Sequence, residues 1–212
     1  MVFSNIKGAN VLSELNKSHL IQQFQMHQTV DYHQEAIKRV SHLNQSNLRK
    51  ASVLIGFVER KHGINVLFTR RAKHLKHHPG QVSFPGGKFE PTDLDLSHTA
   101  LRETFEEVGI EQDKIEIFGQ MPELVTISRF TVTPYLAFIS SDYQTQIDTN
   151  EVDEVFEVPA SVVLDKEKLH SQQFRVNNFS HRVFGLSYNS HFIWGMTAQI
   201  IQAMQNHIMH QY

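Results

Sequence analysis

The 212-residue chain is 40% hydrophobic, has no cysteine and carries a formal charge of −2 at pH 7. That suits one compact domain with a substantial core, excludes disulfide and thiol chemistry, and argues against nucleic acid as a partner, which needs a pronounced basic surface. No apolar run approaches the ~20 residues that span a bilayer, and residues 1–7 lack a basic-then-apolar export signal, so a cytoplasmic location with no membrane partner is expected.

In chain order, residues 11–26 place Val11, Leu12, Leu15, Leu20, Ile21 and Phe24 at spacings compatible with an amphipathic helix. Polar residues over 41–50 read as a linker, so residues 1–50 form a helical extension and 51–212 the main domain. Residues 51–59 and 64–69 read as two strands of a hairpin turning at Lys61-His62-Gly63. A short β-like run, Gln81-Val82-Ser83-Phe84, leads into Pro85-Gly86-Gly87, where paired glycines let the backbone approach a ligand closely. Strands are expected over 114–119 and 131–140, with Pro134 placing an edge or a bulge in the second, and short strands over 174–176 and 183–186. Residues 196–209 read as a closing helix with Ile200, Ile201, Met204 and Ile208 along one side. A hairpin with flanking helices, rather than repeated βαβ units, predicts an α/β/α sandwich around a mixed sheet.

Between the glycine turn and residue 110 lies Arg102-Glu103-Thr104-Phe105-Glu106-Glu107-Val108-Gly109-Ile110. Asp95 or Ser97 can cap the helix start, and Gly109 suits the position past its last turn. At ~100° per residue Glu103, Glu106 and Glu107 share a face, which is read as the outward one, with Glu107 exposed. Leu101, Phe105 and Val108 then point inward. Clustered like charges cost a helix roughly 0.2–0.5 kcal/mol per pair. Three hard oxygen donors on one face are what Mg²⁺ or Mn²⁺ requires, although an isolated acidic run usually just faces water.

The span from Gly87 to Ile110 resembles the Nudix box, a glycine followed at fixed spacing by glutamate and then R-E-U-x-E-E-x-G-U, with U apolar. Arg102 lies one residue further from Gly87 than the general box allows, and Thr104 fills an apolar slot. The early glutamate falls on Asp93 counted from Gly87, or on Leu94 counted back from Arg102. Upstream, Val66-Leu67-Phe68-Thr69-Arg70-Arg71-Ala72, Lys76 and Gly80-Gln81-Val82-Ser83-Phe84-Pro85-Gly86-Gly87 resemble the signature of coenzyme A pyrophosphatases, a subfamily that tends to carry the longer box. Phe68, Arg71 and Lys76 depart from it. Residues 150–159 resemble the subfamily segment that brings a further acid to the metal, and 193–198 its closing strand-to-helix junction.

The resemblance implies a Nudix fold and metal-dependent hydrolysis of the diphosphate of coenzyme A or a derivative. It implies Mg²⁺ or Mn²⁺ on Glu103, Glu106 and Glu107, with Glu151 as the additional acid and Glu154 its competitor. Arg70 and Lys76 contact phosphate, Arg71 more weakly, while Gly80, Gly86 and Gly87 shape the approach. Arg102 orders the box loop by pairing with backbone carbonyls or a nearby acid. His74, His77 and His78 read as loop residues near phosphate rather than zinc ligands, because the chain lacks cysteine and an H-E-x-x-H pattern. Trp194 is expected to anchor the core rather than stack on adenine. A broader taste, for NADH, ADP-ribose or other nucleoside diphosphate derivatives, stays open, as does a homodimer. A non-catalytic sensor would be expected to lose box glutamates, and Glu103, Glu106 and Glu107 are all present.

Overall fold

The computed structural model describes residues 15–27, 30–176 and 179–209. Its centre is the strand β1 (Arg49–Arg60), in which eight consecutive residues are buried. A continuous buried run means cover on both faces of the sheet. Alternation sorts the run: Val53, Ile55 and Phe57 enter one core, and Leu54 and Val58 the other.

The hairpin partner β2 (Gly63–Arg71) pairs antiparallel with β1, as expected. It is followed by the short strands β3 (Val82–Ser83) and β4 (Gly86–Lys88), the helix α3 (Leu96–Val108), then β5 (Ile115–Gln120), β6 (Leu124–Val125), β7 (Phe130–Ile139) and β8 (Val152–Pro159). The main path runs β3-β2-β1-β7-β5, with β4 on β1, β6 on β7 and β8 on β2. Only the long β1–β7 pair, Arg49↔Phe130 to Val58↔Ile139, is parallel; the others in this sheet are antiparallel. The sheet is therefore mixed.

Helix α1 (Lys17–Met26) contributes Leu20 and Phe24, and the closing helix α5 (Met196–Ile208) contributes Ile200, Ile201, Met204 and Ile208, to the core on one face. Ala100 and Val108 of α3 pack on the other. The α/β/α sandwich with a mixed sheet is thus realised. Of the helix expected over 11–26, the part before residue 15 lies outside the described residues. Two short helices, α2 (Gln34–Val40) and α4 (Ala160–Val163), follow α1 and β8 in the chain.

One expectation is refined and one corrected. β7 is interior, so Pro134 is not on an edge strand, but it does lie at an irregularity: between Gln120↔Tyr135 and Leu124↔Val132 three residues face two, in addition to the register shift at Ile117/Gly119. The Pro134 carbonyl accepts from the Met121 N–H at 2.9 Å, so the missing Pro134 N–H faces the same side, where the break between β5 and β6 leaves no ladder to feed. The short strands near 174 and 183 prove to be parts of a second, three-stranded antiparallel sheet, β9 (Leu169–Val176), β10 (Phe179–Tyr188) and β11 (His191–Trp194).

Candidate active site

The helix α3 starts where Asp95 caps it, accepting from the His98 N–H at 2.9 Å, and ends where Gly109 turns left-handed at φ 74°. Its orientation differs from expectation. The buried positions are Thr99, Ala100, Thr104, Glu107 and Val108, while Phe105 is exposed and Leu101 half-buried. Thr104 satisfies its hydroxyl by donating to the Ala100 carbonyl at 2.7 Å. That is why the box tolerates a polar residue in an apolar slot.

Turning the helix this way drives one glutamate inward. Glu107, expected to be exposed, is 4% exposed and accepts from the Gly86 N–H at 3.2 Å. Gly86 has no alternative: a Cβ there would collide with the Ser52 carbonyl and the Val53 backbone, because β4 lies hard against β1. Gly87 is equally tight, since a Cβ would run into the Glu103 carboxylate. The glycine turn therefore brings backbone against both acids. Burial, then the charges of Glu103 and Glu151, push Glu107 up to about 8 against the pull of the Gly86 N–H and Arg71. Glu103 is raised too, first by burial, with Arg102 opposing. Glu106 points away: its side chain is 54% exposed and pairs with Arg102 Nη1 at 2.8 Å.

Arg102 organises the loop before the helix. Its Nε and Nη2 donate to the two Asp93 oxygens at 2.8 and 3.1 Å, Nη1 to Glu103 at 3.1 Å, and Nη2 to the Lys88 carbonyl at 2.9 Å. Asp93 also accepts from the Glu90 N–H at 2.9 Å and the Thr99 hydroxyl at 2.8 Å. These donors, Arg102 foremost, hold its carboxyl far below the ordinary range despite burial. Leu94, the competing position for the early box acid, is 87% exposed. Of the two, it is Asp93, one methylene shorter than glutamate, that meets Arg102.

The expected phosphate contacts divide between places. Arg70 Nη1 lies 2.9 Å from Glu154 Oε2 and Nη2 3.4 Å from Asp153, so its guanidinium is taken up by β8. Glu154, further held by His191 Nε2 at 3.2 Å, stands with Arg70 rather than with the glutamate cluster. Arg71, ranked below Arg70 from sequence, acts electrostatically on Glu107. The period of β2 gives the signal: Phe68 enters one core and Leu67 the one beneath α3, so Arg71 shares the side of Leu67. Lys76, His74, His77 and His78 are exposed, with His74 Nε2 3.1 Å from the Asn150 carbonyl. Glu151 is exposed, and its charge bears on both Glu103 and Glu107. Trp194 does not anchor the core: it is 44% exposed, because alternation along β11 gives the inward position to Ile193.

Among the described residues no three His, Asp or Glu side chains converge closely enough to enclose a metal ion. The donor set nevertheless suits a hard divalent cation: Glu103 and Glu107 are oxygen donors with raised affinity for protons, and Glu151 adds negative charge. Arg102 holds Glu103 and Glu106 in the arrangement seen here.

Residues 48–177 match the NUDIX domain. The chain is 40% identical over 158 residues to an uncharacterized Nudix hydrolase NudL of Enterobacter sp. (strain 638), covering 74% of this chain and 82% of that protein. The corresponding NudL of Yersinia pestis (strain Pestoides F) is 37% identical over 168 residues, covering 79% and 84%. Among solved structures, the NUDIX domain of Shewanella oneidensis NrtR complexed with ADP ribose aligns at 20% identity and a TM-score of 0.44, covering 60% of this chain and 84% of that one.

Proposed function

Because the chain belongs to the NUDIX domain family, we propose that it hydrolyses the diphosphate linkage of coenzyme A or a derivative in the cytoplasm, giving 3′-phospho-ADP and (acyl-)4′-phosphopantetheine. One observation carries the catalytic half of this reading: Glu107 is buried beside Glu103 against the Gly86-Gly87 turn, with too few donors to satisfy an ionised carboxylate. The substrate half rests on the run from Val66 to Gly87 and its likeness to the coenzyme A signature.

Glu103 and Glu107 would hold Mg²⁺ or Mn²⁺, and Glu106 would join them on leaving Arg102. When bound, the cation offsets the charge of the diphosphate and makes phosphorus open to water. Glu151, exposed and free to approach solvent, accepts the proton of the attacking water. Lys76 and Arg71 supply positive charge for phosphate oxygens, and Arg70 does so only by exchanging its carboxylate partners for substrate. Gly86 and Gly87 keep side-chain bulk away from the linkage.

The test is product analysis with purified protein, coenzyme A and millimolar Mg²⁺. The expected products are 3′-phospho-ADP and 4′-phosphopantetheine; absence of 3′-phospho-ADP would refute the coenzyme A assignment. The engagement of Arg70 with Glu154 and Asp153 favours a second reading, a broader Nudix pyrophosphatase less dependent on that arginine. A panel including NADH and ADP-ribose separates the two.

A further inference from the structure

Residues 140–151, between the end of β7 and the start of β8, contain no helix or strand, yet their backbone is tied down along its length. The Gln146 N–H donates to the Val108 carbonyl at 2.9 Å and the Asp148 N–H to the Glu107 carbonyl at 3.1 Å. Carbonyls of a last helical turn lack partners within the helix, so this segment completes α3. It lies so close that a Cβ on Gly109 would come within 2.7 Å of the Gln146 nitrogen. Beyond that contact, Asp148 builds a turn: its carbonyl accepts from the N–H of Glu151 at 3.0 Å and of Val152 at 2.9 Å, and its Oδ1 from the Asn150 N–H at 2.9 Å. The Glu151 carbonyl in turn accepts from the Ala72 N–H at 2.8 Å. The backbone of Glu151 is thus fixed on both sides while its carboxylate stays in solvent.

The other end of the segment is fastened to the sheet. The Tyr143 hydroxyl donates to Glu157 Oε1 at 2.7 Å, and Arg60 Nη1 donates to the Ser141 carbonyl at 2.6 Å. Glu157, on β8, also accepts from Asn65 Nδ2 at 2.9 Å and from Arg60 Nε at 3.1 Å. Burial pushes the Glu157 carboxyl up, but these donors outweigh it and keep it below the usual range. Strands β1, β2 and β8 therefore meet at one carboxylate, and Tyr143 clips the segment to it. None of these residues belongs to the acidic cluster.

We propose that residues 140–151 are a strap that sets the position of Glu151 against Glu103 and Glu107, and that Tyr143 is a positioning residue acting through Glu151. The inference rests on the hydrolase reading for its kinetic arm only. Tyr143→Phe removes one hydroxyl and keeps the ring. It should lower kcat about tenfold, the rate equivalent of one hydrogen bond to a charged group, and leave KM unchanged. In a Glu151→Gln background the same substitution should change kcat by less than about twofold, since the strap then has nothing left to place. Backbone amide exchange should quicken at Gln146, Asp148 and Glu151 but not in the first turns of α3.

Multiplicative losses in the double variant, or a rise in KM at constant kcat, would overturn the positioning role. Unchanged exchange at those three amides would overturn the strap itself. If coenzyme A is not a substrate, the cycle is run on whichever nucleoside diphosphate derivative turns over. If none does, the hydrolase reading fails and the exchange result alone decides the strap.

Discussion

Asp93 and Glu107 are almost equally shielded from solvent, at 5% and 4% exposure, but Glu107 lies deeper in the fold, and their surroundings push the two carboxyls in opposite directions. Asp93 receives a two-pronged guanidinium, a hydroxyl and a backbone N–H, and is held ionised. Glu107 receives one N–H at 3.2 Å, faces two other carboxylates, and is pushed up to about 8. Burial raises the carboxyl in both places, most strongly at the deeper Glu107, while the richer supply of donors at Asp93 pulls the other way and wins there. Asp93 is a carboxylate whose partner is already in the chain. Glu107 has, among the described residues, only the Gly86 N–H.

Substitution by the neutral amide should break the pair apart in function. Glu107→Gln should lower turnover about a thousandfold, the several kcal/mol attributed to charge neutralisation by a bound cation. It should not lower the unfolding free energy of the metal-free protein at pH 8, because it removes a poorly satisfied buried charge. Asp93→Asn should do the reverse thermodynamically, costing about 1–3 kcal/mol in urea unfolding, because it takes the charge out of the two-pronged pair with Arg102, which keeps only Glu103, Glu106 and the Lys88 carbonyl. Equal losses of stability in the two variants would contradict the contrast.

The pH dependence sharpens it further. In the unfolded chain Glu107 ionises near the ordinary carboxylate value, whereas in the fold it keeps its proton up to about 8. Between those values the folded state binds more protons, so stability falls as pH rises. Urea unfolding in chelator should weaken by on the order of a few kcal/mol between about pH 5 and pH 8. Glu107→Gln should flatten most of that slope. Asp93, held ionised, adds stability that is lost progressively as pH falls below the ordinary carboxylate value, outside this window.

Local pattern made much of this legible. Turn residues between two apolar runs located the β1–β2 hairpin, and Asp95, offered beside Ser97, and Gly109 marked the ends of α3. What stayed hidden was the rotation of α3. Helical period shows that Glu103, Glu106 and Glu107 are neighbours but not which neighbour faces the sheet. The choice was made by the glycine turn, whose missing side chains admit carboxylates where a stability-driven sequence would place Leu101 and Phe105. The role of Asp93 was likewise undecided by counting, because the longer loop shifts the register, and only its contacts with Arg102 resolve it. Trp194 misled because its size suggested a core, whereas Ile193 takes the inward place on β11. Strand β8 was masked by its acids, Asp153, Glu154 and Glu157, which pair with Arg70 and Arg60 instead of lying in a loop.

Titration calorimetry of Mg²⁺ or Mn²⁺ at pH 7, repeated in buffers of different ionisation enthalpy, reports the protons expelled on binding. If Glu103 and Glu107 are the seat of the cation, the wild-type protein releases about one proton per ion bound, because Glu107 must surrender the one it holds at neutral pH, and Glu107→Gln releases none. Binding without proton release, or release that persists in Glu107→Gln, would place the ion elsewhere and remove the basis of the catalytic reading.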